Sequence, residues 1–369
     1  PHGTPTPMRD DSATVTARLA AALRDSASPW AGAALVRLPD KGLAHDHVRI
    51  TGSGLLARIP KQSQMRLTPA DNLAYQAACF ERAAAGGHAP RLHGVLAPCA
   101  NLPRGALLVQ EVQGRTAALP GDLAAIVQAL AALHALPLPA PAARRPLLDD
   151  EDALAALYEE LAQQAQYLAA AGVAPAVARA VTQELQQLNA LCRADARPPR
   201  HLIAFDGHPG NFIVQHHGAA VGHAVLVDLE KCRYSYPALD IAHATLYTST
   251  TWDLDSCAEL TPAQVQGAYA TWAAAVGPRV AAPAQAWHVP LRRAMWLWSL
   301  TWCAKWRVLS TAVAPADADG EDWSAGQSDA ALVAHVRGRV DHYLQPDVVA
   351  RMRDEFDALQ GALDEALAA

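Results

Sequence analysis

The chain changes its local grammar once, close to Gly114, and that change limits the folds open to it. Before it come short runs rich in β-branched and apolar residues: 33–37 (AALVR), 47–50 (HVRI), and LLARIP directly after the turn TGSG at 51–54. Two further runs, RLHGVLA and ALLVQEV, follow a predicted helix over 69–86 that starts near Asp71 and ends at Gly86-Gly87. β-rich runs joined by a glycine-bearing turn are hairpin grammar, so these segments predict a small, mostly antiparallel sheet with one helix against it. An amphipathic helix over 13–25 opens the chain. After Gly114 the apolar residues at 123, 126, 127, 130 and 133 take the helical period. A proline-rich connector, PLPAPAARRP, leads to two Ala/Leu/Gln helices near 150–171 and 174–193. Two short strands are expected near 211–214 and 224–228, then helix from 238 onward, with an exposed acidic loop at 315–326. The pattern is α+β in two lobes: a sheet lobe over 1–113 and a helical lobe over 114–369, an arrangement that offers a ligand site at their interface.

Net charge is -6 with no basic stripe, which argues against a nucleic-acid partner. The most apolar stretch, 294–306, is too short for a membrane span and contains Lys305. Six cysteines show no zinc-like spacing and read as buried or incidental thiols. The opening PHGTPTPMRDD carries no apolar core of a signal peptide, so a cytoplasmic monomer or homodimer is expected.

Chemistry concentrates in AFDGHPGNFIV and VLVDLEK. Asp206 and Asn211 stand in an Asp-x-x-x-x-Asn spacing, and Asp228 follows at a strand end. Phosphoryl transfer needs such a set: one carboxylate to orient a hydroxyl, and oxygen donors to hold Mg²⁺ against nucleotide phosphates. An isolated Asp or Asn is more often a turn or cap residue. Here Asp228-Leu229-Glu230 and Asp240-Ile241-Ala242 accompany the first pair, and IVQALAALH stands at 126–134.

On those residues the chain resembles the aminoglycoside phosphotransferase and choline kinase superfamily, which has the protein-kinase-like fold. The resemblance covers about residues 30–310. It implies that Asp206 is the catalytic base, that Asn211 and Asp228 hold Mg²⁺, and that Glu230 serves a second metal or a cationic substrate group. It implies that Asp240 and His208 support the catalytic loop. Arg58 falls where the family has a phosphate-binding lysine, with Lys61 as the fallback and Gln76 near the pairing glutamate. Gln110, Glu111 and Val112 fall where hinge backbone meets the base of ATP or GTP. Two departures bear on loop geometry: Ala204 and Phe205 replace the family's His-Gly before the base.

Eight of the nine tryptophans lie after residue 250, four of them in AMWLWSLTWCAKWR. Trp252, Asp253, Trp298 and Trp302 are the candidate acceptor pocket. Aromatic rings there would suit a small amine-bearing alcohol, choline-like or aminoglycoside-like, through cation–π attraction. The alternative for the same helix is simple core packing. The expected activity is thus an ATP- and Mg²⁺-dependent phosphotransferase acting on a small-molecule hydroxyl. The competing reading is a nucleotide-binding pseudokinase with a regulatory role, motivated by Ala204, Phe205 and Gln76.

Overall fold

A computed structural model describes residues 12–63, 65–215, 222–311 and 329–368; the loop expected at 315–326 lies outside them. Packing divides the chain into two compact units. The first comprises the described parts of 1–77, 91–111 and 309–335, and the second those of 78–90, 112–308 and 336–369.

The first unit holds helix α1 (Ser12–Asp25) and strands β1 (Leu35–Arg37), β2 (His45–Ile50), β3 (Leu55–Pro60), β4 (Leu92–Leu96) and β5 (Ala106–Gln110). The strands form one antiparallel sheet in the order β1-β2-β3-β5-β4. The β2–β3 hairpin closes with Ile50 opposite Leu55, and Gly52 and Gly54 take the left-handed backbone of its turn (φ 78° and 70°). Alternation along the strands separates two faces. Val48, Ile50, Leu55, Ala57, Ala106 and Leu108 pack against Val15, Leu19, Ala22 and Leu23 of α1. The opposite face carries His47 and Arg58, which are register partners. Helix α2 (Pro69–Ala84) begins where Thr68 Oγ1 accepts the Asp71 N–H at 3.2 Å, a hydroxyl cap followed by proline at the first helical position.

The second unit contains five short strands, β6 (Arg115–Thr116), β7 (His201–Ile203), β8 (Phe212–Gln215), β9 (His223–Leu226) and β10 (Arg233–Ser235). They form a β6-β8-β9 sheet and a β7–β10 pair. The pair was not expected from sequence, because three residues are too few to show a period. Helix α3 (Leu123–His134) is buried on nearly every side. The helices α4 (Pro141–Arg144), α5 (Ala153–Ala165), α6 (Pro175–Cys192), α7 (Pro237–Thr245) and α8 (Tyr247–Thr250) follow. Then come α9 (Pro262–Val276), α10 (Pro278–Ala284), α11 (His288–Leu309), α12 (Ala330–Tyr343) and α13 (Pro346–Ala368). Helix α5 starts later than expected because Asp152 caps it, accepting the N–H groups of Leu154 and Ala155 at 3.1 and 3.2 Å. No helix among the described residues is long and apolar enough to cross a membrane.

Candidate active site

Strand β7 ends at Ile203 and delivers the chain into the loop 204–208, which a 3₁₀ turn (Pro209–Asn211) returns to β8. The loop hangs on Asp240. Its Oδ2 accepts the N–H of Ala204 and its Oδ1 that of Phe205, both at 2.7 Å. His134 reaches the same Oδ2 at 2.9 Å through Nε2. The indole N–H of Trp272 can only donate, and it meets His134 Nδ1 at 2.9 Å, so Nε2 carries the proton directed at Asp240. Five residues from α3, α7, α9 and the loop thus form one buried chain, in which each polar side-chain atom has a partner.

Phe205 stands at φ 61°, the left-handed region that favours the glycine of the family pattern. Three contacts hold it there. Asp240 takes its N–H, its ring meets Trp298 edge-to-face at 5.3 Å, and the Arg233 guanidinium lies 3.6 Å above the ring. Glu160 ties this cluster together, accepting Trp298 Nε1 at 2.7 Å and pairing with Arg233 at 3.3 Å.

Asp206, the next residue, pairs through Oδ2 with Lys231 Nζ at 3.0 Å. Burial opposes its ionisation, but the Lys231 charge, with His208, His243 and the Lys231 hydrogen bond, outweighs it and holds the carboxyl below the ordinary carboxylate range. The other oxygen, Oδ1, is 3.8 Å from His243 Nδ1. That nitrogen lies 3.2 Å from the Phe205 carbonyl, which can only accept, so Nδ1 bears the proton. Burial, opposed by Asp206 and reinforced by His208 and Lys231, pushes His243 down to about 4 and keeps it neutral at neutral pH.

Asn211 donates its amide Nδ2 to the Asp206 carbonyl at 2.9 Å, which turns its amide oxygen away from that contact. Phe212 pairs with Leu226, and Val227 N–H bonds the Asn211 carbonyl at 2.9 Å, so Asn211 and the partly exposed Asp228 share one end of the β8–β9 hairpin. Among the described residues no group of three or more His, Cys, Asp or Glu side chains could hold a metal unaided. An amide oxygen and one carboxylate fit a hard cation that keeps waters and takes its remaining ligands from phosphates, which is how Mg²⁺ is usually held. Glu230 is buried (5% exposed) and does not line the cavity beside Asp206.

That cavity, of about 110 Å³, opens beside Asp206, His208 and Lys231. Trp252, Trp298, Trp302 and Tyr343 wall it, and Thr248 and Ser249 of α8 line it as well. Trp252 meets Trp302 edge-to-face at 5.7 Å and stacks on Tyr343 at 6.3 Å. Asp253 is not a lining residue. It packs on the loop instead: a Cβ at Gly210 would come within 2.7–3.0 Å of its side chain.

The profile of the phosphotransferase enzyme family matches residues 35–282. The chain belongs to that family. Among solved structures it is similar to the GDP complex of wild-type aminoglycoside 2'-phosphotransferase-IIIa, with a TM-score of 0.56 and 14% identity over 90% of this chain and 98% of that one. It is similar to Plasmodium vivax ethanolamine kinase (TM-score 0.54, 12% identity, 87% of this chain, 83% of that one). It is also similar to a choline/ethanolamine kinase family protein from Mesorhizobium loti (TM-score 0.53, 18% identity, 93% and 99%). At these identities the likeness shows the fold: α+β, two-lobed, protein-kinase-like. The search of curated proteins found no match.

In this member of the phosphotransferase enzyme family the remaining candidates lie mainly in the first unit. Arg58 is buried on β3, and burial together with the Arg58 charge, aided by His45, Lys61 and Arg37, holds the neighbouring His47 well below its usual pKa. Gln76 Oε1 meets His45 Nε2 at 3.0 Å. Lys61, the alternative to Arg58, pairs with Asp40 at 2.8 Å. The N–H groups of Gln110 and Glu111 bond the Arg91 and Gly54 carbonyls at 2.8 Å, and the Glu111 carboxylate pairs with Arg49 at 2.6 Å. Val112 starts the 112–308 stretch of the second unit. The His208 carbonyl accepts the Asn211 N–H at 3.0 Å, and the residue lines the cavity. Sequence reasoning missed Lys231, Glu160, His243, Thr248 and Ser249. Lys231 stood in view three residues after Asp228, but a lysine there carries no signal until the fold brings it to Asp206.

Proposed function

We propose that the protein transfers the γ-phosphoryl group of a purine nucleoside triphosphate, ATP or GTP, to a hydroxyl of a small molecule bound in the cavity. The observation that carries this reading is Asp206: its carboxylate lines an aromatic cavity while its backbone carbonyl orients Asn211 beside Asp228. Lys231 restrains Oδ2, so Oδ1 is the oxygen offered to an acceptor hydroxyl. A carboxylate this acidic is a weak base, which suits a loose transition state in which positioning matters more than early proton removal. The acceptor oxygen forms the new bond to phosphorus and the bond to the nucleoside diphosphate breaks. Its electron pair leaves with the diphosphate, and the hydroxyl proton passes to Asp206 and then to solvent. Asn211 and Asp228 would hold Mg²⁺, which when bound neutralises charge on the phosphates. Arg58 is the candidate phosphate-binding cation of the first unit. The GDP complex of the aminoglycoside 2'-phosphotransferase relative supports a nucleotide ligand.

Gln76, a neutral residue engaged by His45, favours a second reading in which nucleotide binds without turnover. Thermal melting with Mg-ATP, paired with ADP release, separates the two. Saturating nucleotide at a hundred times its dissociation constant stabilises by about 2.7 kcal/mol. Under the first reading that shift is accompanied by ADP release, and Asp228→Ala weakens both. A shift with no ADP from any acceptor supports the second, and no shift at all refutes both.

A further inference from the structure

The cavity beside Asp206 has the charge and hydrogen-bonding character of a site for an uncharged ligand. Lys231 Nζ lies 5.0 Å from the centroid of the Trp298 ring, so the protein itself places a cation on that indole. The same ammonium is 3.0 Å from Asp206 Oδ2 and gives the carboxylate an internal counterion. Among the described residues Asp206 is the one carboxylate lining the cavity. A quaternary or protonated amine entering here would shed its hydration next to Lys231 and find no uncompensated anion in exchange, an arrangement that disfavours charge burial. The cation–π role expected of these tryptophans is, on the Trp298 side, already filled from within.

A second, independent feature says what does fit. Thr248 and Ser249 line the cavity at 4% and 2% exposure, and neither Thr248 Oγ1 nor Ser249 Oγ has a hydrogen-bond partner among the described residues. His208 Nδ1, on a lining residue, is in the same condition. Buried hydroxyls left unpaired are costly, and such groups in a native structure call for an explanation. A hydroxyl both donates and accepts, so each can match a hydroxyl of a ligand. The Trp252 and Trp302 indoles add flat apolar surface of the kind that takes the C–H face of a ring. At roughly 10–15 Å³ per water position, a cavity of about 110 Å³ has room for a ligand of monosaccharide size.

We propose that the acceptor is a neutral, hydroxyl-rich ring of monosaccharide size, a carbohydrate or cyclic polyol. Its apolar face rests on the tryptophan walls, its hydroxyls meet Thr248 and Ser249, and its reacting hydroxyl meets Asp206. This rests on the phosphotransferase reading of the same site and narrows it, replacing the amine-bearing acceptor expected from sequence.

The test reads binding and turnover separately. Intrinsic tryptophan fluorescence of the full chain is titrated with glucose, ribose, N-acetylglucosamine and myo-inositol, and in parallel with choline, ethanolamine and kanamycin. ADP release is measured over the same panel with Mg-ATP. A saturable fluorescence change with at least one neutral compound and none with the cations is expected. Thr248→Val and Ser249→Ala should each weaken that binding about three- to tenfold, the range for one lost hydrogen bond. Neutral ligands that bind without ADP release would sink the phosphotransferase reading and leave standing the assignment of the cavity to a neutral, hydroxyl-rich ring. Turnover or saturable binding confined to choline, ethanolamine or kanamycin would overturn the inference and leave the phosphotransferase reading intact. Absence of binding by every neutral compound also overturns it, as does unchanged affinity in both hydroxyl variants.

Discussion

Restoring glycine at position 205 should weaken the protein, although glycine is what the family pattern has there. Two opposing effects decide the sign. Phe205 sits at φ 61°, where a side chain costs about 1–2 kcal/mol, and glycine relieves that. Against this, the ring is 1% exposed, packs edge-to-face on Trp298 at 5.3 Å and carries the Arg233 guanidinium 3.6 Å above it. Truncating a buried phenylalanine costs about 3–5 kcal/mol, and the cation–π contact adds about 0.5–2 kcal/mol. The balance is a loss of about 2–6 kcal/mol for Phe205→Gly. Phe205→Ala loses the ring without relieving the backbone, so it should be less stable than the glycine variant by about 1 kcal/mol. Urea unfolding followed by tryptophan fluorescence gives the order wild type, Gly, Ala from most to least stable. A glycine variant as stable as the wild type would refute the packing argument. An alanine variant as stable as the glycine one would refute the left-handed backbone.

Four further outcomes follow from the same geometry. Lys231→Met removes the counterion of Asp206, so the carboxyl pKa rises; the acid limb of the kcat/KM profile should move to higher pH and kcat should fall, with an unmoved limb counting against the ion pair. Gly210→Ala places a methyl group within 2.7–3.0 Å of Asp253 and should lower kcat, and adding Asp253→Gly should recover it; failure of that rescue in steady-state kinetics would show that Asp253 does not press on the loop. In Asp240→Asn the amide NH₂ must face either Phe205 N–H or the Ala204 and His134 donors. An unsatisfied buried pair of this kind costs about 3–5 kcal/mol, so thermal denaturation should show a large loss. Finally, burial pushes His288 down to about 4 from its ordinary 6.5, so from pH 6.5 toward 4 the unfolded chain takes a proton that the folded chain refuses. His288 should therefore contribute a loss of about 3 kcal/mol as pH falls through that window, at about 1.4 kcal/mol per unit, and His288→Phe should reduce the slope of the urea midpoint over the same range, the rest coming from His243 and His47.

The sheet of the first unit was legible because its strands alternate and a glycine turn separates β2 from β3. Helix α3 was legible because its apolar period is long. The β7–β10 pair was not, since three residues per strand show no period and the pairing joins residues 201–203 to 233–235. At the site, Asp206 and Asn211 could be picked out because their relation is local, five residues along one loop. Lys231 and Asp206 meet only through the fold, and neither residue's neighbours announce the other. The tryptophans illustrate a different limit. Their abundance near residue 300 pointed to the cavity wall, but the ligand that suits an indole depends on what else faces it. Lys231 above Trp298 is what turns the proposal from a cationic guest to a neutral one. Phe205 looked like a weakened loop in the linear pattern. In the structure its ring packs on Trp298 and Arg233, and Asp240 accepts its N–H.

ADP release from Mg-ATP in the presence of an acceptor, compared between the wild type and Asp206→Asn, tests the central assignment most directly. Asparagine keeps the shape of the residue but cannot receive the hydroxyl proton. The account predicts a fall in kcat of about a hundredfold or more, with nucleotide-induced thermal stabilisation retained. Turnover in Asp206→Asn equal to that of the wild type would contradict it.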